Sequence, residues 1–189
     1  MDSNQLVRGS LQDISISGRT SLAQAFLGVS ALILIDVSYS MNQDDCPGGR
    51  KRFTVAQEQL IKLQRDLPGK IGVVAWSSTA YFCPGGLPTE PFGGTNLVNA
   101  LTFVRPADGC QIKIIIISDG EPDAPDQTLD IARNFKSKLD TIYVGPETGH
   151  GRDFLRRLAD ASGGQSVSQS VREIPQLAES VQRLITTTT

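Results

Sequence analysis

The chain has few of the residues on which many enzyme and metal sites depend. It contains one histidine, His150, and three widely spaced cysteines, Cys46, Cys83 and Cys110, without a Cys-x-x-Cys pair. A zinc site is therefore not indicated, and the odd cysteine count favours reduced thiols in a cytoplasmic protein. There is also no Gly-x-Ser-x-Gly, no P-loop and no Gly-x-Gly-x-x-Gly motif. A serine hydrolase triad would have to use His150, and nothing in the sequence places it near a nucleophile.

Long apolar runs and a large charge imbalance are absent as well. The 189 residues carry 18 Lys and Arg against 20 Asp and Glu, a net charge of -2. This balance argues against a broad nucleic-acid or anionic membrane surface. The apolar runs are too short to cross a bilayer, and the N-terminus lacks the basic and apolar segments of a secretory signal. We expect one cytoplasmic domain without nucleic-acid or membrane partners.

Short apolar runs alternate with helical patterns along the chain. The run at 112–118 is rich in isoleucine, which is typical of a strand buried on both faces of a parallel sheet. Strands are predicted at 31–35, 70–76, 80–83, 112–118, 141–144 and 165–168, and helices at 53–67, 96–104, 125–138, 153–161 and 174–185. This order predicts an α/β fold: a doubly wound, mostly parallel six-stranded sheet with one antiparallel edge strand and helices on both faces.

The predicted domain spans residues 28–185. Residues 1–27 form an N-terminal extension in which Ile14 and Ile16 alternate with serines, a pattern that could form an added edge strand. Residues 186–189 are four threonines and are predicted to be a frayed tail.

Five side chains with oxygen atoms lie at strand ends and at one helix start. They are Asp36, Ser38 and Ser40 in the turn after the first strand, Thr95 after two glycines, and Asp119 after the isoleucine-rich strand. In doubly wound sheets ligands sit beyond the carboxyl ends of the strands, so Asp36 and Asp119 share one edge if their strands are neighbours. Hydroxyls and carboxylates without nearby His or Cys suit a hard cation such as Mg²⁺.

These residues resemble the metal-ion-dependent adhesion site of the von Willebrand factor type A family, also called the integrin I-like fold. The resemblance covers roughly residues 28–185 and rests on Asp36-x-Ser38-x-Ser40, Thr95 and Asp119. It implies a Rossmann-like domain that binds Mg²⁺, or alternatively Mn²⁺ or Ca²⁺, through the serines and the threonine, with the aspartates direct or through water. It also implies a protein partner whose carboxylate completes the metal shell, and a binding module of bacterial type without catalysis.

Five further residues beside this turn are predicted to face the partner: Tyr39, Arg50, Lys51, Arg52 and Glu121. The nearby acids, Asp44, Asp45, Glu121, Asp123 and Asp126, would favour cation retention. They would also repel an acidic partner group unless the basic run 50–52 offsets them.

Three alternatives remain open at this stage. The aspartate, serines and threonine could cap helices and turns without any metal. The chain could be a structural module that has the site but does not use it. It could also be a Mg²⁺-dependent phosphatase of the haloacid dehalogenase type, although Ser38 stands where the second aspartate of the Asp-x-Asp-x-Thr motif would be. We expect a protein that is not an enzyme.

Overall fold

A computed structural model describes residues 6–89 and 91–187 as a six-stranded sheet with helices on both faces. The strand order is β3-β2-β1-β4-β5-β6, and every neighbouring pair is parallel except β2 with β3. The strands are β1 Ala31–Asp36, β2 Ile71–Trp76, β3 Ala80–Phe82, β4 Lys113–Ser118, β5 Leu139–Gly145 and β6 Ser166–Ser170. The α-helices are α1 Leu11–Ser17, α2 Leu22–Phe26, α3 Arg52–Asp66, α4 Leu97–Val104, α5 Pro125–Arg133, α6 Gly151–Ser162 and α7 Leu177–Thr186. The predicted fold class is confirmed.

The two most apolar strands lie side by side in the middle of the sheet. β1 pairs with β4 in parallel from Ala31 opposite Lys113 to Ile35 opposite Ile117. Because successive side chains point to opposite faces, Ile33 and Ile35 enter one core while Leu32 and Leu34 enter the other. The neighbouring strands therefore end at the same edge, as the sequence predicted.

Each face of the sheet is covered by its own set of helices. Apolar residues of α3 and α7 pack on the first core, including Leu60, Leu63 and Val181. Residues of α4, α5 and α6 pack on the second, together with Leu11 of α1. All three cysteines are free. Within 6–89 and 91–187, no helix has the length and apolar character needed to cross a membrane.

The added edge strand predicted around Ile14 and Ile16 is wrong, because these residues lie in α1. The Ser10 hydroxyl caps this helix by accepting a hydrogen bond from the Asp13 amide, and Leu11 is almost fully buried. A three-residue alternation of apolar and polar residues is too short to outweigh a capped turn anchored by one buried leucine. Residues 1–5 of the predicted extension lie outside the described residues.

Several element boundaries also differ from the prediction, most clearly around α5 and α7. The helix predicted to reach 138 ends at Arg133, and β5 begins at Leu139. The turn between them is held from another part of the chain, because the Asp108 carboxylate accepts hydrogen bonds from the amides of Lys136 and Ser137. The last helical segment is a 3-10 turn at Ile174–Gln176 followed by α7, which includes Thr186 of the predicted tail. Residues 188–189 of that tail lie outside the described residues.

Candidate metal centre

Asp36 is the last residue of β1 and its side chain is fully buried, whereas the sequence placed it in the following turn. Both carboxylate oxygens accept hydrogen bonds, one from the Ser38 amide at 2.7 Å and the other from the Ser118 hydroxyl at 2.6 Å. Burial, and then the nearby charge of Asp119, raise the pKa of Asp36 to about 7, against an ordinary value of 3.8. Burial therefore disfavours the charged carboxylate unless a proton or a counter-charge neutralises it.

Ser38 directly precedes a 3-10 turn, Tyr39–Asn42, and Ser40 lies within that turn. Met41, a residue of this 3-10 turn, is completely buried in the first core, and its side chain fixes the turn against that core. The two hydroxyl oxygens lie 3.0 Å apart, and Ser40 donates to Asp119 Oδ1 at 2.7 Å. Since the single proton of Ser40 is used in this way, Ser38 must be the donor between the two serines.

Asp119 follows β4 directly and joins the cluster from the neighbouring strand. Its side chain is fully buried; Oδ1 accepts from Ser40, and Oδ2 accepts from Nη1 of Arg52 at 2.6 Å. Arg52, the first residue of α3, also binds both carboxylate oxygens of Asp45. One continuous series of hydrogen bonds therefore runs from Ser38 through Ser40 and Asp119 to Arg52 and Asp45.

Thr95 reaches the same edge of the sheet on the loop before α4. The Gly93 carbonyl accepts a hydrogen bond from the Tyr39 amide at 3.2 Å, which places this loop against the serine turn. Gly93 has φ +90°, and a Cβ atom there would meet the Ser78 hydroxyl oxygen at 2.7 Å, so glycine is needed for the approach. The Thr95 amide donates to Asp123 at 3.2 Å. The N-cap of α4 is the next residue, Asn96.

The donor set fits a hard cation. Across residues 6–89 and 91–187, no three His, Cys, Asp or Glu side chains group closely enough to hold a metal, so a site at this cluster would also draw on the hydroxyl oxygens. In an octahedral shell with Mg–O distances of about 2.1 Å, adjacent oxygens are separated by about 3 Å. The separations of 3.0 Å between Ser38 and Ser40 and 2.7 Å between Ser40 and Asp119 match this spacing. The metal role of the five predicted residues nevertheless stays a prediction.

Comparison with solved structures relates the fold to known proteins. An aerotolerance-related membrane protein from Bacteroides fragilis, crystallised with multiple mutations to serine, superposes with a TM-score of 0.61 at 15% identity, over 84% of this chain and 98% of that one. BatB from Bacteroides thetaiotaomicron superposes with a TM-score of 0.59 at 16% identity, over 85% and 100% of the two chains. Proximal thread matrix protein 1 of the mussel byssus superposes with a TM-score of 0.58 at 18% identity, over 91% of this chain and 51% of that protein.

The chain shares the fold of these proteins, which fits the predicted von Willebrand factor A-like architecture. At these identities the likeness concerns the fold alone. No family model and no curated protein sequence matches the chain.

Four of the residues predicted to face a partner are exposed. Tyr39 is 71% exposed, Lys51 and Glu121 are exposed, and Arg50 is a surface residue paired with Glu58 at 2.5 Å. Arg52 corrects the prediction, because its side chain is only 7% exposed and is occupied by Asp45 and Asp119. Sequence adjacency suggested one basic surface, but the first turn of α3 directs its first residue into the site.

Two residues near the centre were not predicted from the sequence. Ser118, the last residue of β4, binds Asp36 across the strand ends. Its only sequence signal was a polar residue that ends an apolar run next to Asp119. Phe92 is 82% exposed, and its amide donates to the Val37 carbonyl at 2.9 Å, so it stands beside the serine turn. An exposed phenylalanine has no distinguishing sequence pattern.

Proposed function

We propose that this protein is a metal-dependent, non-catalytic binding module that holds an acidic group of a protein partner through Mg²⁺. The observation that carries the proposal is the meeting of Asp36, Ser38, Ser40 and Asp119 in one hydrogen-bonded cluster at the carboxyl edge of the sheet. Asp119 is distant in sequence from the other three residues, and a shared cation would account for its meeting with them.

Ser38, Ser40 and Thr95 would supply neutral oxygens to the cation, and Asp36 and Asp119 would supply negative charge from behind. The cation would act as a Lewis acid toward a further oxygen ligand, which here is the carboxylate of the partner. The two serines already have the separation that adjacent ligands need. Little rearrangement of the turn would accompany binding, which favours affinity.

The surface around the centre also suits a protein partner. Tyr39 and Phe92 expose their aromatic rings on two loops that are hydrogen-bonded to each other. Exposed aromatic side chains are typical anchors at protein interfaces. The exposed Lys51 and Arg50 lie on the segment before α3, where they would offset the nearby acids when a partner carboxylate approaches.

The environment of Asp36 favours binding over catalysis. A phosphatase nucleophile needs a free carboxylate oxygen that faces the substrate. Here both oxygens accept short hydrogen bonds, and the side chain is fully buried. Ser38, at the position of the second aspartate in the phosphatase motif, has a hydroxyl instead of the carboxyl group that would act as general acid or base.

Thermal melting in Mg²⁺ and in EDTA tests the metal part of the proposal. A cation present at about 100 times its Kd stabilises the fold by about 2.7 kcal/mol, which raises the melting temperature by several degrees. The double variant Ser38→Ala with Ser40→Ala should lose this difference, while the control Ser17→Ala, exposed at the end of α1, should keep it. Equal melting of the wild type in both buffers at high Mg²⁺ would argue for a structural module without metal.

Affinity capture from the cells that produce the protein tests the partner part. A partner should be retained by the wild type in Mg²⁺ and released by EDTA, and the double serine variant should not retain it. Replacing the contacting acid of the partner by its amide should then remove binding. Turnover of a generic aryl phosphate by the wild type, lost in Asp36→Asn, would instead support the phosphatase alternative.

A further inference from the structure

Arg52 places a permanent positive charge inside the candidate metal centre. Its Nη1 lies 2.6 Å from Asp119 Oδ2, while Oδ1 of the same carboxylate accepts from Ser40. The guanidinium is 7% exposed, and the Asp119 side chain is fully buried. Ion pairs at this depth are weakly screened by water and salt, so this charge acts on the centre at close range.

The location of Arg52 in its helix is electrostatically unfavourable without these partners. It is the first residue of α3, where the positive end of the helix dipole repels cations. Its backbone amide is fixed by the Gln43 carbonyl at 3.0 Å, and its side chain is held between Asp45 and Asp119. Two carboxylates are therefore needed to keep a buried arginine there, and Asp119 is one of them.

Asp119 has two potential counter-cations that cannot both interact with it at full strength. In the structure the guanidinium neutralises it. A divalent cation on the Ser38 and Ser40 side would lie on the other oxygen of the same carboxylate, a few ångströms from the guanidinium. Two like charges at such a distance in a poorly hydrated site repel each other by far more than surface charges do.

We propose that Arg52 is a built-in competitor for Asp119 that keeps the affinity of the centre for a free cation low. This inference rests on the proposed metal-binding function. When no cation is bound, Arg52 would supply the counter-charge of Asp119. A cation is then held firmly only when another carboxylate, that of the partner, adds negative charge to the shell. Metal and partner would thus bind together, which is a positive coupling between two ligands.

A different role of Arg52 predicts a change of cation affinity in the opposite direction. If the guanidinium only orients Asp119 for metal binding, its removal should weaken the binding of the cation. Calorimetric titration with Mg²⁺ and with Mn²⁺, at fixed pH and ionic strength and without partner, separates the two roles. Arg52→Gln keeps an amide donor at the position but removes the charge. Arg50→Gln is the matched control, since it makes the same charge change at an exposed residue paired with Glu58.

We expect Arg52→Gln to bind the cation at least about tenfold more tightly than the wild type, and Arg50→Gln to change affinity by less than about twofold. In EDTA, Arg52→Gln should melt at a lower temperature than the wild type, because Asp119 loses its counter-charge. Affinity of Arg52→Gln equal to or weaker than that of the wild type would overturn the inference and leave the proposed function intact. Absence of cation binding by all three proteins would overturn both.

A second pair of variants covers the case in which Arg52→Gln does not fold. Asp45→Asn removes the other partner of the guanidinium, which should strengthen its hold on Asp119 and weaken cation binding. Asp44→Asn makes the same charge change at the neighbouring exposed residue. We expect at least about threefold weaker binding for Asp45→Asn than for Asp44→Asn, since only Asp45 shares the guanidinium. Equal affinity of these two variants would contradict the competition.

Discussion

The Ser118 hydroxyl donates a hydrogen bond of 2.6 Å to the carboxylate of Asp36, a residue 82 positions earlier in the chain. Both side chains are completely buried at the ends of adjacent central strands. The bond joins β1 to β4 beyond their last paired residues and orients Asp36 for the Ser38 amide. It therefore couples the stability of the sheet to the geometry of the candidate centre.

Removal of this hydroxyl should destabilise the metal-free protein. Ser118→Ala leaves one oxygen of the buried Asp36 carboxylate without its hydrogen-bond donor, which lowers the free energy of unfolding by about 1–3 kcal/mol. Urea unfolding in EDTA measures the loss. Ser168→Ala, the same change at an exposed position of β6, is the control and should stay within about 0.5 kcal/mol of the wild type. Equal unfolding free energies for the two variants would show that the Ser118–Asp36 hydrogen bond does not contribute to stability.

The buried carboxylate of Asp36 predicts a pH dependence of stability in the absence of metal. Burial raises its pKa in the folded protein to about 7 from 3.8, so the folded state binds more protons than the unfolded state between these values. The favourable contribution of this group is complete below about pH 4 and is lost as the pH rises through about 7. A shift of this size corresponds to at most about 4 kcal/mol.

Urea unfolding in EDTA at pH 5 and pH 8 tests this dependence. Asp36→Asn cannot titrate and can still accept from the Ser38 amide, so its unfolding free energy should fall less over this interval than that of the wild type. Asp66→Asn, a change at the exposed end of α3, should keep the dependence of the wild type. Parallel pH profiles for the wild type and Asp36→Asn would rule out an anomalous pKa.

Loss of a charged side chain from the centre should lower the metal affinity more than loss of a neutral hydroxyl. Asp36→Asn should abolish detectable Mg²⁺ binding because a formal charge is lost from a hard-cation site, whereas Thr95→Ala should be milder because water can replace a neutral hydroxyl. Asparagine is preferable to alanine at position 36, since the residue is buried and alanine would leave a cavity and two unpaired donors. Calorimetric titration gives both affinities. Undiminished binding by Asp36→Asn would contradict a metal role for this residue.

The N-terminal segment should contribute to the stability of the domain rather than act as a separable extension. Leu11 is 1% exposed in the second core, and the amides of Val7 and Gln12 donate to the carbonyls of Gly85 and Pro84. Leu11→Ala should lower the unfolding free energy by about 2–5 kcal/mol. Ile16→Ala, at an exposed position of the same helix, should have little effect. If both variants unfold alike, the predicted boundary at residue 28 would be the correct one.

Much of the site could be predicted because its determinants are local. The apolar runs that become β1 and β4 are long enough to identify buried strands, and parallel strands of a doubly wound sheet present their carboxyl ends together. The placement of Asp36 and Asp119 at one edge followed from these two facts. Thr95 follows two glycines, and the first of them, Gly93, has the positive φ of +90° that only glycine adopts readily.

The remaining features depend on contacts between segments that are distant in the chain. The helix at residues 11–17 forms where a strand was predicted, because its weak local pattern is decided by the burial of Leu11 against the sheet. The basic run 50–52 is divided by the first turn of α3, which leaves Arg50 at the surface and turns Arg52 inward to Asp119. Only the tertiary structure could decide this, since the direction of a side chain on a helix follows from how the helix packs. The sequence by itself determined that Asp36 and Asp119 lie at one edge of the sheet; packing decided that the Ser118 hydroxyl binds the first carboxylate and that Arg52 binds the second.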